Sequence, residues 1–199
     1  EVGHKAIVRN FADIEAMGAR PTAALLAIAA PGDTPVDFVR GIAQGIAERC
    51  AVYNAELVGG DLTRSDSLVI NVTAMGSLGG SGAPLTLDGA RAGQKLVAHG
   101  KIGYSGAGLA LLQRYGRALP PELDELWPLI DAHCAPTLAP GRGVIARATG
   151  STAMTDNSDG LVRDVGHLAE RSGVRIDFDR GAIAPDPLVA AAGAVLGID

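Results

Sequence analysis

Aromatic residues make up only 4% of the 199-residue sequence, and there are just two cysteines. With so few rings, the core must be assembled mainly from Ala, Val, Leu and Ile, and 27 glycines imply many tight turns. Cys50 and Cys134 lie far apart and match no metal-ligand or redox spacing, which predicts two reduced thiols in a cytoplasmic protein. No Lys/Arg run relieves a net charge of -5, which argues against a nucleic-acid partner. The longest apolar stretches, 22–30 and 188–198, fall short of the roughly 20 residues that a bilayer span needs, so no membrane partner is expected. A charged-then-apolar leader is absent, which gives secretion no support. An initiator Met is absent too, and the chain opens in a helical pattern; both ends are expected to be cuts in a longer protein.

Familiar catalytic signatures are also missing. The glycines from Gly103 to Gly108 sit between a predicted strand and a predicted helix, but not in G-x-G-x-x-G order. Gly100-Lys101 lacks both the earlier Gly and the following Ser/Thr of a P-loop, since Ile102 stands there. These glycines read better as a tight turn with close backbone packing. The four histidines, His4, His99, His133 and His167, form no metal-binding pair, and no G-x-S-x-G elbow occurs.

What is present is an alternation of helix and strand signals. Apolar positions at Ala6, Ile7, Phe11, Ile14 and Met17 give residues 2–17 a helical period that Gly18 ends. Residues 22–30 read as a buried strand, and Thr34-Pro35 as the cap and first turn of a helix reaching about Tyr53. A short strand is predicted at 56–58, running into Gly59-Gly60-Asp61, and an alternating one at 68–75. The Gly-, Ser- and Pro-rich stretch 76–93 reads as a connection. Beyond it the pattern predicts strands at 95–99, 152–155 and 174–178 and helices at 107–115, 143–149 and 161–171. The acidic stretch 122–133 reads as a helix interrupted by Pro128. The expected fold class is α/β to α+β, with domains at 1–80 and 95–199 joined by a linker, 81–94.

Acidic residues in unusual settings carry the chemistry. Asp13 interrupts an apolar-rich helix, Asp61 follows two glycines at a predicted strand end, and Asp156 and Asp159 bracket Ser158 before a helix. Carboxylates gathered at strand ends would suit Mg²⁺, which takes a few carboxylates together with phosphate oxygens and water. Each residue also has a plainer explanation. Asp13 could be solvated, Asp61 could belong to a turn, and Ser158 or Asp159 could cap the helix at Leu161.

At these residues the sequence resembles the thiamine-monophosphate kinase family. The run from Gly3 to Pro21 is similar to its helix N-x-(S/A)-D-(I/L)-x-A-M-G-A-x-P, and Leu57 to Arg64 to its G-G-D-T-T-R segment. Ser105 to Ala110 resembles its S-A-A-G-L turn, and Asp156 to Leu161 its D-x-S-D-G-L motif. The four occur in the family's order over nearly the whole chain. The resemblance implies a two-domain PurM-like fold, of the aminoimidazole-ribonucleotide-synthetase type. Its N-terminal mixed-sheet domain pairs with a second copy as a homodimer, and ATP binds near that interface. It implies γ-phosphoryl transfer from ATP to thiamine monophosphate. Asp13, Asp61, Asp156 and Asp159 would hold several Mg²⁺ ions, and Gly60, Asp61 and Ser158 would touch the nucleotide. No dedicated acid or base is expected, because the acceptor is already an anionic phosphate.

The match has two departures. Leu87 stands where the family's linker carries an ATP-contacting Arg, which predicts nucleotide binding weaker by roughly 1.5–3 kcal/mol. The family's N-terminal acidic motifs and C-terminal G-G-E-D-Y segment are absent, and with them much of the thiamine pocket. Two alternatives stay open: an inactive nucleotide-binding relative, and another ATP-dependent synthase of the superfamily.

Overall fold

The computed structural model describes residues 1–80, 82–179, 181 and 183–198. Helix α1 (Val2–Ala16) buries Gly3, Ile7, Val8, Phe11 and Glu15 along one stripe, and the chain turns out of it where Gly18 adopts φ +72°. Strand β1 (Arg20–Ala30) follows, with Ala24, Leu26, Ile28 and Ala30 buried on one face. Pro35 is extended at ψ 131°, so it becomes the cap residue and helix α2 starts one residue later than expected, spanning Val36–Val52. This helix crosses over to β2 (Glu56–Arg64), which runs parallel to β1. Strand β3 (Val69–Ser77) pairs antiparallel on the other side, so the sheet order is β2-β1-β3.

Helices α1 and α2 cover one face of this sheet. Phe11 and Tyr53 meet edge to face there, 5.0 Å apart, over Ile7, Ile42, Ile46 and Leu26. The register puts Leu25, Val69 and Met75 on the opposite face, where all three are exposed. That face also carries exposed Asn71, Thr73 and Asp61, so the sheet is covered on one side and mixes apolar with polar side chains on the other.

A second cluster of buried residues lies between helices α3 (Tyr104–Tyr115), α4 (Trp127–Cys134) and α7 (Pro187–Leu196), around Leu111, Leu126, Leu129, Ile130 and Ala192. A 3-10 turn (Pro121–Leu126) leads into α4, so Pro128 lies in the first turn of a helix and interrupts nothing. Short α5 (Arg142–Ala148) and amphipathic α6 (Leu161–Ser172) complete the described elements. No helix among the described residues is long and apolar enough to cross a membrane.

Three expected strands are not formed. Residues 95–99 and 174–178 form no strand, and 152–155 contributes only a parallel bridge between Thr86 and Ala153. An apolar alternation becomes a strand only when a neighbour supplies the other half of its hydrogen bonds, and no described segment does so here. Val97, 84% exposed, shows the consequence.

Candidate active site

One side of α1 presents Ala6, Arg9, Asn10 and Asp13 at helical spacing to a cleft of about 300 Å³. Ile70 and Val72 of β3 form another wall, and Ser158 reaches in from the loop before α6. Asp13 remains open to solvent at the rim. Partial desolvation pushes its carboxyl above the usual carboxylate range, and the nearby Asp156 carboxylate pushes the same way; Arg9 pulls it down. Two acidic groups 143 positions apart in sequence are thus electrostatic neighbours, and neither side chain has a hydrogen-bond partner among the described residues.

Asp13 is solvated, as its plainer explanation has it, but those for the other residues do not hold. The cap residue of α6 is Gly160, with no side-chain hydrogen bond. Instead Asp164, from inside the helix, accepts the Asp159 backbone N–H at 3.1 Å. Ser158 and Asp159 therefore keep their side chains exposed and free of capping duty. Asp61 is not in a turn, since β2 runs on to Arg64 and places it beside Ala27. That register puts Asp61 on the open face of the sheet, away from α1 and outside the Asp13 cleft. Gly60 has a local reason to be glycine, because a Cβ there would collide with the Leu26 carbonyl.

Several residues that the sequence did not single out shape the site. Arg9 lies one turn before Asp13 and offers the cleft a cation; its i−4 spacing was the available signal. Glu15 is only 3% exposed, and both its oxygens accept backbone N–H groups, from Gly141 and Gly143, at 2.7 Å each. Charge-assisted bonds to the otherwise unpartnered amides at the start of α5 offset the cost of burying that carboxylate. Elsewhere, Lys5 Nζ donates to His133 Nε2 at 3.0 Å, and His133 Nδ1–H donates to the Ser105 carbonyl at 3.1 Å. That pairing commits the imidazole to its neutral form and leaves Ser105 Oγ, 3.1 Å from the same nitrogen, without a base.

The donor set fits Mg²⁺ and not a fully protein-caged ion. Among the described residues no three His, Cys, Asp or Glu side chains are close enough to hold a metal. Asp13 offers a hard oxygen donor at the rim of an open cleft, and Asp156 is a second one near enough to act on it electrostatically. Mg²⁺ typically takes one or two carboxylates and completes its shell with water and substrate phosphates.

Residues 1–78 match the family model "AIR synthase related protein, N-terminal domain", which assigns the sheet and its two helices to that class. Over all 199 residues the chain is 65% identical to thiamine-monophosphate kinase of Corynebacterium glutamicum, covering 60% of that protein. It is 42% identical over 200 aligned positions to thiamine-monophosphate kinase of Mycobacterium tuberculosis (strain H37Rv), covering 58%. The solved structure of AaThiL complexed with AMPPCP and TMP superimposes with a TM-score of 0.89 at 33% identity, over 100% of this chain and 62% of that one. Over its whole length the chain is similar to thiamine-monophosphate kinases, and it spans about three-fifths of the length of these relatives.

Proposed function

We propose that this chain supplies the ATP- and Mg²⁺-binding part of a cytoplasmic enzyme that phosphorylates thiamine monophosphate to thiamine diphosphate. The observation that carries the reading is the meeting of Asp13 and Ser158 in one cleft from opposite ends of the chain, with Asp156 near enough to push the Asp13 carboxyl up. Bound Mg²⁺ would offset the charge of two phosphates that must approach each other. Asp13 and Asp156 hold it, and Asp159, exposed beside them, serves a further ion. Arg9 adds a fixed positive charge and the Ser158 hydroxyl donates to a phosphate oxygen. The acceptor oxygen is already ionised, so no side chain needs to remove a proton, and the commitment of His133 to Lys5 and Ser105 costs the reaction nothing.

The remaining features follow from the same reading. Residues 1–80 form the ATP-binding domain, 81–94 the linker, and 95–199 part of a second domain. The uncovered sheet face, with its exposed Leu25, Val69 and Met75, supports a homodimer built on it. Gly60 and Asp61 lie on the strand at that face, which supports a nucleotide and metal contact completed near the dimer interface.

Incubating the whole protein with ATP, Mg²⁺ and thiamine monophosphate tests the reaction. Thiamine diphosphate and ADP in equal amounts are expected; ADP formed on another acceptor, with no thiamine diphosphate, would contradict it. Leu87→Arg should strengthen ATP binding by about tenfold or more if the linker passes the phosphates.

A further inference from the structure

We propose that Glu15 and Arg147 are positioning residues that set the spacing between Asp13 and Asp156. The inference rests on the reading of their cleft as a metal-phosphate site. Asp13 and Asp156 repel each other, come from opposite ends of the chain and share no direct bond, so something else must hold them in register.

That something is the last turn of α1, starting two residues past Asp13. Glu15 binds the Gly141 and Gly143 amides at 2.7 Å each and seats α5 against the helix. The seating is close: a Cβ on Gly143 would collide with the Glu15 backbone. From the far end of α5, Arg147 lays its stem on Gly18, where an added Cβ would meet the Arg147 Cβ at 2.9 Å. Its guanidinium donates to the carbonyls of Leu78, Gly79 (2.9 Å) and Gly82 (3.3 Å), at the start of the connection.

The connection then ties back. Leu85 N–H donates to the Met17 carbonyl at 2.9 Å, and Thr86 accepts Met154 N–H at 3.3 Å while bridging Ala153. Met154 is two residues from Asp156. Glu15, Met17 and the Arg147 clamp thus form a continuous route between the segments that carry the two carboxylates. A planar guanidinium presents five N–H donors in a fixed fork, whereas the Lys ammonium offers three on a flexible stem.

The test uses the whole protein, with Glu15→Gln, Arg147→Ala, Arg147→Lys and Asp13→Asn. Calorimetry reads Mn²⁺ affinity without nucleotide, and hydrogen exchange reads the amides of residues 152–158. Glu15→Gln and Arg147→Ala should each weaken Mn²⁺ binding about tenfold, the usual effect of losing a supporting partner. Exchange at 152–158 should rise about tenfold as the segment opens locally, with the sheet core still protected. Arg147→Lys should recover part of both. Wild-type affinity and exchange in folded Glu15→Gln and Arg147→Ala, with Asp13→Asn impaired, would overturn the positioning role alone. Unchanged Mn²⁺ affinity in Asp13→Asn would overturn the metal reading and the proposal together.

Discussion

Residues 1–78 pair three strands within one sheet, whereas the described residues of 79–198 form no strand, 95–99 and 174–178 included. The first region keeps its large side chains on a sheet-helix interface around Phe11. The second keeps its own between helices around Leu129. The bonds across the two are mostly polar and gather at the end of α1, through Glu15 and Met17, with Tyr53 Oη donating to the Leu138 carbonyl at 2.8 Å. The difference teaches where the site gets its precision. A sheet-helix scaffold presents Asp13, and polar bonds through Glu15 and Met17 tie the second region to the end of its helix.

The largest effects should come from the cores, and they should stay on their own sides. Phe11→Ala should cost about 3–5 kcal/mol and Leu129→Ala about 2–5 kcal/mol in denaturant unfolding. Hydrogen exchange should then show lost protection in the sheet for the first and in α3 and α4 for the second; equal loss everywhere would break the comparison. Next come these polar bonds. Glu15→Ala leaves two amides without their acceptor and should cost about 3 kcal/mol, measured the same way.

How far all this could be read from sequence depends on whether the deciding contact is local. Helix α1 and strand β3 announce themselves by period, and Gly18 and Pro31-Gly32 mark real turns. The segment at Gly59-Gly60-Asp61 reads as a turn because glycines usually make one, yet pairing with β1 carries it into a strand. Helix α7 is apolar all round and so shows no period. Its ends were still marked, by the Asp186 side chain accepting Leu188 N–H at 3.0 Å and by Gly197 at φ +66°. Asp13, Asp156 and Ser158 could be named from motifs; Asp13 and Ser158 line one cleft, and Asp156 is an electrostatic neighbour of Asp13. Glu15 could not be, because the amides it serves are 126 and 128 residues away.

Smaller effects sharpen the boundary between the regions. Burial pushes the Tyr53 phenol up to about 12, with Glu15 adding to the rise. The folded state then holds a proton that the unfolded chain releases near pH 10, so stability should fall as pH rises from about 10 to 12. Tyr53→Phe should cost about 1 kcal/mol at neutral pH and flatten that alkaline decline in thermal melts. The smallest effect is at His133, whose pKa is lowered by desolvation and then by Lys5. Its contribution is present above the pKa of an unfolded histidine, about 6.5, and is lost as pH falls below it. His133→Gln should remove that acid-side dependence.

The central claim is that Asp13 and Asp156 together hold the metal through which ATP is bound. ATP affinity of the whole protein, measured across a Mg²⁺ series for wild type, Asp13→Asn and Asp156→Asn, tests it most directly. Both variants should need at least about tenfold more Mg²⁺ to reach the wild-type affinity. A wild-type Mg²⁺ dependence in both would contradict the account.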